Sequence, residues 1–415
     1  MADVRPFAAV RARSAVAARV CCPPYDVVSL AEARALTSGN PVSFLRVTRP
    51  EVDFPDGIRI QDPEIYRKAR ENFLRLISDG LLAQEARACY YVYRLTLGPR
   101  SQTGLVGLIA CKDYTDGVVR PHELTRAEKE DDRARHIQVV GAQTGPALLV
   151  YRGLPELKKV LLETSAVRPE TEFVDERGVK HETWVIDDTD LIERVRALTT
   201  RISRVYIADG HHRTAAAVRV CFAMGGGGGS DAFLGVMFAE DELQILPYNR
   251  LVREARGWSG SQIVEQVGKV MQMVDRQPGS QPGLHEVDLY VPGQWSRFRF
   301  RDVGDEETDP LKVLDVVLLQ EHVLGPLFGI SDPRRDPRID FVGGLDAVET
   351  LVRRVDSGEF VCGFAMHPTR IEDMMDIADE GRLLPPKSTW FEPKLRDGLF
   401  VHMFSPHSPG MDEVR

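Results

Sequence analysis

Apolar and polar positions alternate along this chain with two different spacings, and each spacing predicts a different element. From Ile65 to Ile77, apolar side chains recur at four-residue spacing within the segment 63–81, which is typical of an amphipathic helix. In the segment 88–97, apolar and polar positions alternate instead, and a turn with Gly and Pro links it to the segment 104–113, which predicts a β-hairpin. Helical and extended patterns continue to interchange along the chain. This interchange predicts a mixed α/β architecture of the α+β class.

Two shorter segments, 16–20 and 43–47, also predict strands. A run of five glycines lacks the Gly-Lys-Ser or Gly-Lys-Thr ending of a phosphate loop, so we interpret it as a flexible surface linker. This run and the number of predicted elements divide the chain into an N-terminal lobe, residues 1–240, and a C-terminal α+β lobe, residues 241–415.

The motif Asp-Gly-His-His-Arg at residues 209–213 organises the chain. Residues 205–208 predict a short buried strand, and the Ala-rich residues 214–220 predict a helix. A strand that enters a helix through a glycine turn directs free backbone N–H groups toward an anion. Arg213 adds a guanidinium that suits phosphate, and the two histidines can donate or transfer protons. The alternative is a buried turn with a structural arginine and two surface histidines.

A second candidate loop contains His122 and Glu123 after Arg120-Pro121. A carboxylate beside an imidazole at the mouth of a sheet predicts a general base. The alternative is a glutamate that interacts with the dipole of a following helix.

A third candidate loop carries Lys387, Ser388 and Thr389, with Lys394 close behind. Two ammonium groups and two hydroxyls suit a second anion or a small polar substrate. The alternative is a solvated C-terminal loop, which the neighbouring aromatic residues Trp390 and Phe391 argue against.

The N-terminal region adds two further loops. Ser43 and Arg46 offer a hydroxyl and a cation, so Arg46 is either a clamp for phosphate or carboxylate or a salt-bridged edge residue. Tyr25-Asp26, after two prolines, is interpreted as a structural element of the N-terminal lobe.

Composition narrows the class of protein. The 415 residues carry a net charge of −9 with a pI of about 5.7, which argues against nucleic-acid binding through a basic surface. Six cysteines form no C-x-x-C pair, which predicts reduced thiols in the cytoplasm. No apolar run approaches the roughly 18 residues of a membrane span, and no secretory signal pattern stands at the N-terminus. We therefore expect a soluble enzyme without a membrane partner; the oligomeric state stays open.

These loops together predict phosphoryl transfer. The reaction needs cations that hold the phosphate and a base that takes the proton of the attacking hydroxyl. Gly210, Arg213, Arg46 and Lys387 are the candidate phosphate ligands, and Glu123 or Asp209 is the candidate base. Acidic residues beside phosphates normally hold Mg²⁺, so Asp209 is also the candidate magnesium ligand.

The chain resembles the bacterial domain-of-unknown-function 1015 family from about residue 3 to 404. The resemblance rests on five motifs in order, namely Pro-Pro-Tyr-Asp-Val-Val-Ser at 23–29, Asn-Pro-Val-Ser-Phe-Leu-Arg at 40–46, His-Glu-Leu-Thr at 122–125, Ala-Asp-Gly-His-His-Arg at 208–213, and Pro-Lys-Ser-Thr-Trp-Phe-Glu-Pro-Lys at 386–394. Cys22 stands where the family usually has another small residue.

The Asp-Gly-His-His-Arg motif also resembles the signature of free serine kinases, which share a fold with ParB and sulfiredoxin. The resemblance implies a ParB/sulfiredoxin-like core around residues 209–213, in which Gly210, His211, His212 and Arg213 hold the transferring phosphate beside Asp209, with Glu123 as the candidate base. The loops described before add Arg46, Lys387 and Lys394 as candidate ligands of the phosphate or donor. The candidate catalytic residues are then Glu123, Asp209 and His212, and the candidate substrate contacts are Ser43, His122, Ser388 and Thr389.

The implied reaction is phosphoryl transfer to or from serine, with pyrophosphate or a nucleotide as the donor. The cationic loops suit a compact donor, which favours pyrophosphate. Two alternatives stay open: a ParB-like regulatory switch that binds nucleotide without turnover, and a hydrolase of phosphoserine or another phosphate ester.

Overall fold

The computed structural model describes residues 1–59, 61–275, 281–301, 303 and 309–404. The chain divides into two compact units. The first consists of Met1–Leu243 together with the segment that begins at Pro393, and the second is Gln244–Glu392. Both contain helices and sheets, which confirms the α+β class.

The first unit is built on a mixed nine-stranded sheet and also contains two-stranded sheets. The strands of this unit are β1 (Val4–Arg5), β2 (Val10–Ala12), β3 (Leu82–Gln84), β4 (Tyr90–Leu97), β5 (Arg100–Ala110), β6 (Val119–Arg120), β7 (Ala142–Gln143), β8 (Ala147–Tyr151), β9 (Thr171–Val174), β10 (Lys180–Ile186), β11 (Val205–Asp209) and β12 (Ala232–Ala239). Of these, β2 pairs with β3, and β7 pairs with a strand near the C-terminus. The order across the sheet is β6-β11-β8-β12-β5-β4-β10-β9, with β1 paired to β5. The pairs β6/β11 and β8/β12 are parallel, and the predicted hairpin is the antiparallel pair β4/β5.

Helices pack around this sheet. They are α1 (Ala17–Val20), α2 (Leu30–Thr37), α3 (Leu45–Thr48), α4 (Pro63–Ser78), α5 (Cys111–Thr115), α6 (Ala127–Val140), α7 (Pro155–Thr164), α8 (Thr189–Thr199) and α9 (His211–Ala223), with 3₁₀ turns at Ser14–Val16, Pro50–Asp53 and Glu240–Glu242. The predicted helix 63–81 corresponds to α4. Ser29 is the N-cap residue of α2 and forms a capping box with Glu32. The side chain of each residue accepts a hydrogen bond from the backbone N–H of the other.

The main core lies between the sheet and these helices. Sheet residues such as Leu149 and Ile207 are fully buried, and Leu157 of α7 and Ala216 of α9 belong to the same cluster. Each large apolar side chain that is buried in this way contributes roughly 1.5–3 kcal/mol to folding. The core therefore fixes β11 and α9, whose junction carries residues 209–213.

The second unit has its own antiparallel sheet. Its strands are β13 (Ile245–Leu246), β14 (Tyr248–Val252), β15 (Met271–Asp275), β16 (Glu286–Val291), β17 (Gln294–Phe300), β18 (Ile339–Gly343), β19 (Cys362–Met366) and β20 (Trp390–Phe391). The sheet order is β15-β17-β16-β19-β14-β18, and β13 pairs with β20. The helices are α10 (Gly260–Val270), α11 (Asp315–Leu319), which continues as a π-helical turn Gln320–Leu324, α12 (Ala347–Asp356) and α13 (Ile371–Asp379). Leu351 and Val355 of α12 are buried in its core.

Two predicted strands are helices, and these predictions were wrong. Residues 16–20 form a 3₁₀ turn and α1, in which Ala17 and Val20, three positions apart, are both buried. Residues 43–47 lead into α3, where Leu45 and Val47 are buried. β-Branched residues favour strands only where neighbouring strands pack against them, so burial in a helical cluster overrides the preference.

The segment that begins at Pro393 belongs to the first unit, whereas the glycine run and the number of predicted elements assign it to the C-terminal lobe, residues 241–415. Asp397 forms an isolated antiparallel β-bridge with Cys22, and Val401 forms another with Val10. A short strand at His402–Met403 pairs with β7. Backbone pairing with distant strands assigns this segment to the first unit. Among the described residues, no helix is long and apolar enough to cross a membrane.

We expect Gly398→Ala to destabilise the first unit more than Gly80→Ala. Gly398 and Gly80 both adopt positive φ, +80° and +71°, so alanine at either position costs about 1–2 kcal/mol. A Cβ at Gly398 would lie 2.6 Å from Cγ of the buried Phe44, which adds about 1–3 kcal/mol, whereas no atom lies within 4 Å of a Cβ at Gly80. Denaturant unfolding of both variants measures the difference; equal losses would contradict the close packing on Phe44.

Candidate functional site

Gly210 forms the junction between β11 and α9. It has φ +91° and ψ +28°, a left-handed conformation that other residues adopt at a cost. A Cβ there would lie 3.3 Å from Cα of Ala147 and 3.2 Å from Nε of Arg213. Glycine is therefore required for backbone conformation and for close packing. The turn leaves the N–H groups at the start of α9 available to an anion.

Asp209 and Lys394 form an ion pair at this turn. The Lys394 ammonium donates to Oδ2 of Asp209 at 3.0 Å, and the backbone N–H of Gly210 donates to Oδ1 at 2.8 Å. Burial opposes the ionisation of Asp209, but the charges of Lys394 and Arg213 outweigh it and hold the pKa of Asp209 well below its usual range. Asp209 is therefore an ionised carboxylate at neutral pH, with little tendency to take up a proton.

Arg213 is a buried cation in the first turn of α9. Its Nη1 donates to the carbonyl oxygen of Pro146 at 2.8 Å and lies 3.7 Å from a carboxylate oxygen of Asp397. Burial lowers the pKa of Arg213, but the carboxylates of Asp26, Asp397 and Asp209 more than compensate and raise it above its ordinary value. Arg213 is thus permanently charged.

His211 meets His122 and Glu123 beside the turn. One possible ligand atom from each residue lies within 4.8 Å of the other two. Burial lowers the pKa of His122 to about 4, and burial together with His122 lowers that of His211 well below its usual range. The backbone N–H of His122 donates to Nε2 of His211 at 3.4 Å, which places the His211 proton on Nδ1. Imidazole and carboxylate are the ligand types that suit a transition metal such as Zn²⁺, but here the lone pair of His211 on Nε2 already accepts from the N–H of His122.

His212 lies on another face of α9. Its Nε2 accepts a hydrogen bond from the backbone N–H of Arg126 at 3.1 Å. Burial and the charge of Lys129 lower its pKa, so the imidazole is neutral. This contact joins α9 to the start of α6, and the catalytic role of His212 stays a prediction.

The structure gives Ser43 and Arg46 local partners. The Arg46 guanidinium pairs with Asp53 and donates to the carbonyl oxygens of Thr37 (3.0 Å) and Asn40 (3.3 Å). Ser43 is buried, and its hydroxyl accepts from the N–H of Leu45 at 3.4 Å, at the start of α3. Arg46 is therefore salt-bridged, as in the alternative interpretation of its role.

Lys387, Ser388 and Thr389 belong to the second unit. The Ser388 hydroxyl donates to the carbonyl oxygen of Pro385 at 2.7 Å. The Lys387 ammonium lies 5.4 Å from the centre of the Tyr248 ring, and its backbone has φ +61°. The loop is thus held by its own contacts within that unit, and its role in binding anion or substrate stays a prediction.

Three residues near the turn had no predicted functional role. Asp397 is 2% exposed, and burial raises its pKa to about 7, although Arg213 opposes this shift. The Arg133 guanidinium lies 4.1 Å from the centre of the Tyr25 ring. The Pro-Pro-Tyr-Asp motif was a signal for Tyr25, but no local pattern distinguishes Asp397 or Arg133 from other charged residues.

Comparison with solved structures finds remote likenesses. SbnI with C-terminal truncation from Staphylococcus aureus has 10% identity and a TM-score of 0.39, over 72% of this chain and 87% of that one. A free serine kinase in complex with AMP has 14% identity and a TM-score of 0.33, over 69% and 86%. A conserved hypothetical protein from Pyrococcus furiosus has 14% identity and a TM-score of 0.32, over 71% and 94%. Likeness at this level does not determine an activity.

No curated protein matches the chain. A family model described as "Protein of unknown function (DUF1015)" matches residues 4–317, which is most of the chain and includes the Asp-Gly-His-His-Arg turn. This chain belongs to the DUF1015 family.

Proposed function

We propose that this protein is a small-molecule phosphotransferase that phosphorylates free L-serine to O-phosphoserine. The observation that carries the proposal is the combination of two cations, Arg213 and Lys394, with an ionised carboxylate, Asp209, around a left-handed glycine at the start of α9. The acceptor is proposed from the likeness of the Asp-Gly-His-His-Arg motif to that of free serine kinases. The ParB/sulfiredoxin-like character of the core is part of the same proposal.

The cations act by different means. Arg213 presents a planar guanidinium whose orientation is set by Pro146, and the N–H groups of the following helix turn point toward the same junction. Lys394 is a point charge on a flexible stem that can move from Asp209 to a phosphoryl oxygen. Charge that develops on a transferring phosphoryl group would be stabilised by these groups without reorganisation of water.

Asp209 suits a magnesium ligand better than a general base. A base works best when its pKa lies near the working pH, and the pKa of Asp209 lies far below it. Mg²⁺ is commonly held by one or two carboxylates together with substrate phosphates, which matches a single ionised Asp209 beside a phosphate site. Bound Mg²⁺ would neutralise phosphate charge and orient the donor. The nitrogen-rich set of His122, Glu123 and His211 fits Mg²⁺ less well.

The donor is proposed to be pyrophosphate, with ADP or ATP as alternatives. The cations stand close to one turn, which fits a compact donor better than an extended one. His122 would then lie beside the phosphates as a neutral group and as a substrate contact, because burial keeps it uncharged at neutral pH.

The first test is phosphorus NMR of the purified protein with Mg²⁺ and L-serine, with pyrophosphate, ADP or ATP as donor. We expect a phosphoserine signal, and Arg213→Gln should lower the rate by about 10²–10³-fold, as for loss of a donor at an oxyanion site. Arg219→Gln is the matched control, because Arg219 lies on the same helix and pairs with Asp131 and Glu130 at the surface.

Each outcome of this test has a defined meaning. Transfer that survives Arg213→Gln would contradict the phosphate site. Phosphate release without an acceptor would favour a hydrolase, and silence with every donor would favour a nucleotide-binding switch. Because Arg213 is buried among carboxylates, thermal unfolding of the variant must accompany the rate, and Lys394→Gln supplies a second variant.

A second test concerns the metal. Asp209→Asn should raise the Mg²⁺ concentration for half-maximal rate at least about tenfold, because a neutral amide is a weaker ligand for a hard cation than a carboxylate. Magnesium titrations of initial rate measure this shift. Asp116→Asn, which removes only a surface carboxylate paired with Lys112, should leave the titration unchanged. An unchanged magnesium requirement in Asp209→Asn would exclude Asp209 as a ligand.

A further inference from the structure

A small cavity lies next to Arg213 in the first unit. Its walls include Tyr25, Arg133, Gln143, Gly145, Arg213 and Asp397. The cavity has a volume of about 30 Å³. A water molecule needs roughly 10–15 Å³ by the same measure, so the space suits a group of two or three non-hydrogen atoms.

Three polar atoms on this cavity are buried and have no hydrogen-bond partner among the described residues. They are the hydroxyl of Tyr25, Nε of Arg213 and Oδ1 of Asp397. Buried polar groups in folded proteins are nearly always hydrogen-bonded, since an unsatisfied group has lost its water without replacement. Three such atoms, each on a residue that lines the same cavity, indicate a polar ligand group there. Tyr25 and Arg213 can donate to it, and an ionised Asp397 can accept from it.

Asp397 is held rigidly in this position. Its backbone N–H donates to the carbonyl oxygen of Cys22 at 3.0 Å, and the N–H of Cys22 donates back at 3.2 Å. Gly145 makes room for the side chain of Asp397, because a Cβ there would lie 1.9 Å from Oδ1 of Asp397. This close approach excludes any side chain larger than hydrogen at residue 145.

A larger cleft shares the Tyr25 and Arg133 walls of the cavity. It has a volume of about 920 Å³ and carries both signs of charge, with Asp26, Arg49 and Lys129 among its lining residues. A free amino acid carries an ammonium and a carboxylate, so a cleft of mixed charge suits its charged end. The cavity is then the place for its short hydroxyl-bearing side chain.

Burial and the surrounding charges together set the proton affinity of Asp397. Burial raises its pKa to about 7; Arg213 and Arg133 act against this shift, and Asp26 adds to it. The titratable and charged groups that face Asp397 or line its cavity are Cys21, Cys22, Tyr25, Asp26, Arg133, His136 and Arg213. Asp397 thus differs from Asp209, which Lys394 holds ionised.

We propose that this cavity binds the hydroxymethyl group of the acceptor and that Asp397 is the catalytic base that takes the hydroxyl proton. The inference rests on the proposed phosphotransferase function and names the acceptor subsite within it. It gives Asp397 the role that the sequence predicted for Glu123 or Asp209.

The proposed step couples a proton transfer to a phosphoryl transfer. The hydroxyl proton of the acceptor moves to Oδ1 of Asp397, and the acceptor oxygen forms a bond to the terminal phosphorus of the polyphosphate donor. The bridging P–O bond of the donor breaks, and the leaving phosphate keeps the electron pair. Asp397 then returns the proton to solvent or to the leaving phosphate, and no oxidant or reductant is needed.

The decisive experiment compares wild type, Asp397→Asn and Tyr25→Phe by calorimetric binding and by phosphoryl transfer. Wild type should bind L-serine at least about tenfold more tightly than L-alanine. L-alanine lacks the hydroxyl, so the buried polar atoms of Tyr25, Arg213 and Asp397 would stay without a hydrogen-bond partner when it binds. Asp397→Asn should reduce this preference to less than about threefold and lower kcat by about 10²–10⁴-fold. Asp113→Asn, another buried aspartate outside the cavity, is the matched control.

The two proposals fail in different ways. If wild type transfers phosphate and Asp397→Asn keeps the rate, the base is overturned and the phosphotransferase stands. If wild type transfers no phosphate, the proposed function fails, and equal affinity for serine and alanine would overturn the subsite as well. Should Asp397→Asn not fold, Tyr25→Phe carries the binding test, because it removes only one hydroxyl.

A pH series separates a catalytic base from a structural contact. The rate of wild type should fall as pH drops through about 7, and this limb should vanish in Asp397→Asn. The free energy of unfolding depends on the same protonation. The pKa of Asp397 rises from 3.8 in the unfolded chain to about 7 in the folded protein, so protonated Asp397 stabilises the folded state. This stabilisation is complete below pH 3.8 and is lost as the pH rises through about 7. The difference in unfolding midpoint, Asp397→Asn minus wild type, should therefore increase between pH 3.8 and about pH 7 and stay constant above pH 7. A flat difference would contradict titration of Asp397 in this range.

Discussion

The buried guanidinium of Arg213 is the constraint on which the first unit depends. A cation removed from water needs carboxylates close by, because an uncompensated buried charge is strongly destabilising. Its partners come from separate parts of the chain: Asp26 from the loop between α1 and α2, Asp209 from the end of β11, and Asp397 from the segment after Pro393. The charge of one arginine thus links the N-terminal loop, the central sheet and the C-terminal segment.

This network is only partly satisfied by the protein itself. Arg213 uses Nη1 on Pro146, while Nε has no hydrogen-bond partner among the described residues, and the same holds for Oδ1 of Asp397. Buried polar atoms that lack a hydrogen-bond partner cost stability in the free protein, and a ligand that supplies the missing hydrogen bonds stabilises the folded state. Such a cost is common at sites where function rather than stability decides the residue.

The neighbouring carboxylates differ in protonation because their surroundings differ. Asp209 lies against the ammonium of Lys394 and stays ionised, whereas burial dominates at Asp397 and raises its pKa to about 7. The two aspartates can thus have different roles in the proposed reaction: the ionised Asp209 is suited to bind a cation, and Asp397 is suited to accept a proton. Divergent proton affinities of this kind are how acid–base roles are distributed within one site.

Much of the local structure followed from the sequence, because it depends on periodicity and on residue-specific backbone preferences. The helix α4, the β4/β5 hairpin, the Ser29 cap and the strand–turn–helix at Gly210 were all predictable in this way. Two separate motifs, at 209–213 and 386–394, also identified Asp209, Gly210, Arg213 and Lys394, which the structure brings together.

Tertiary structure alone decided what depends on distant partners. Burial made residues 43–47 part of a helical cluster, and local pairs turned Arg46 toward Asp53. Backbone pairing with Cys22 brought Asp397 to Arg213, although no pattern near Asp397 marks it. The physical reason is that proton affinity and packing are set by neighbours in space, whereas helix and turn signals are set by neighbours in sequence.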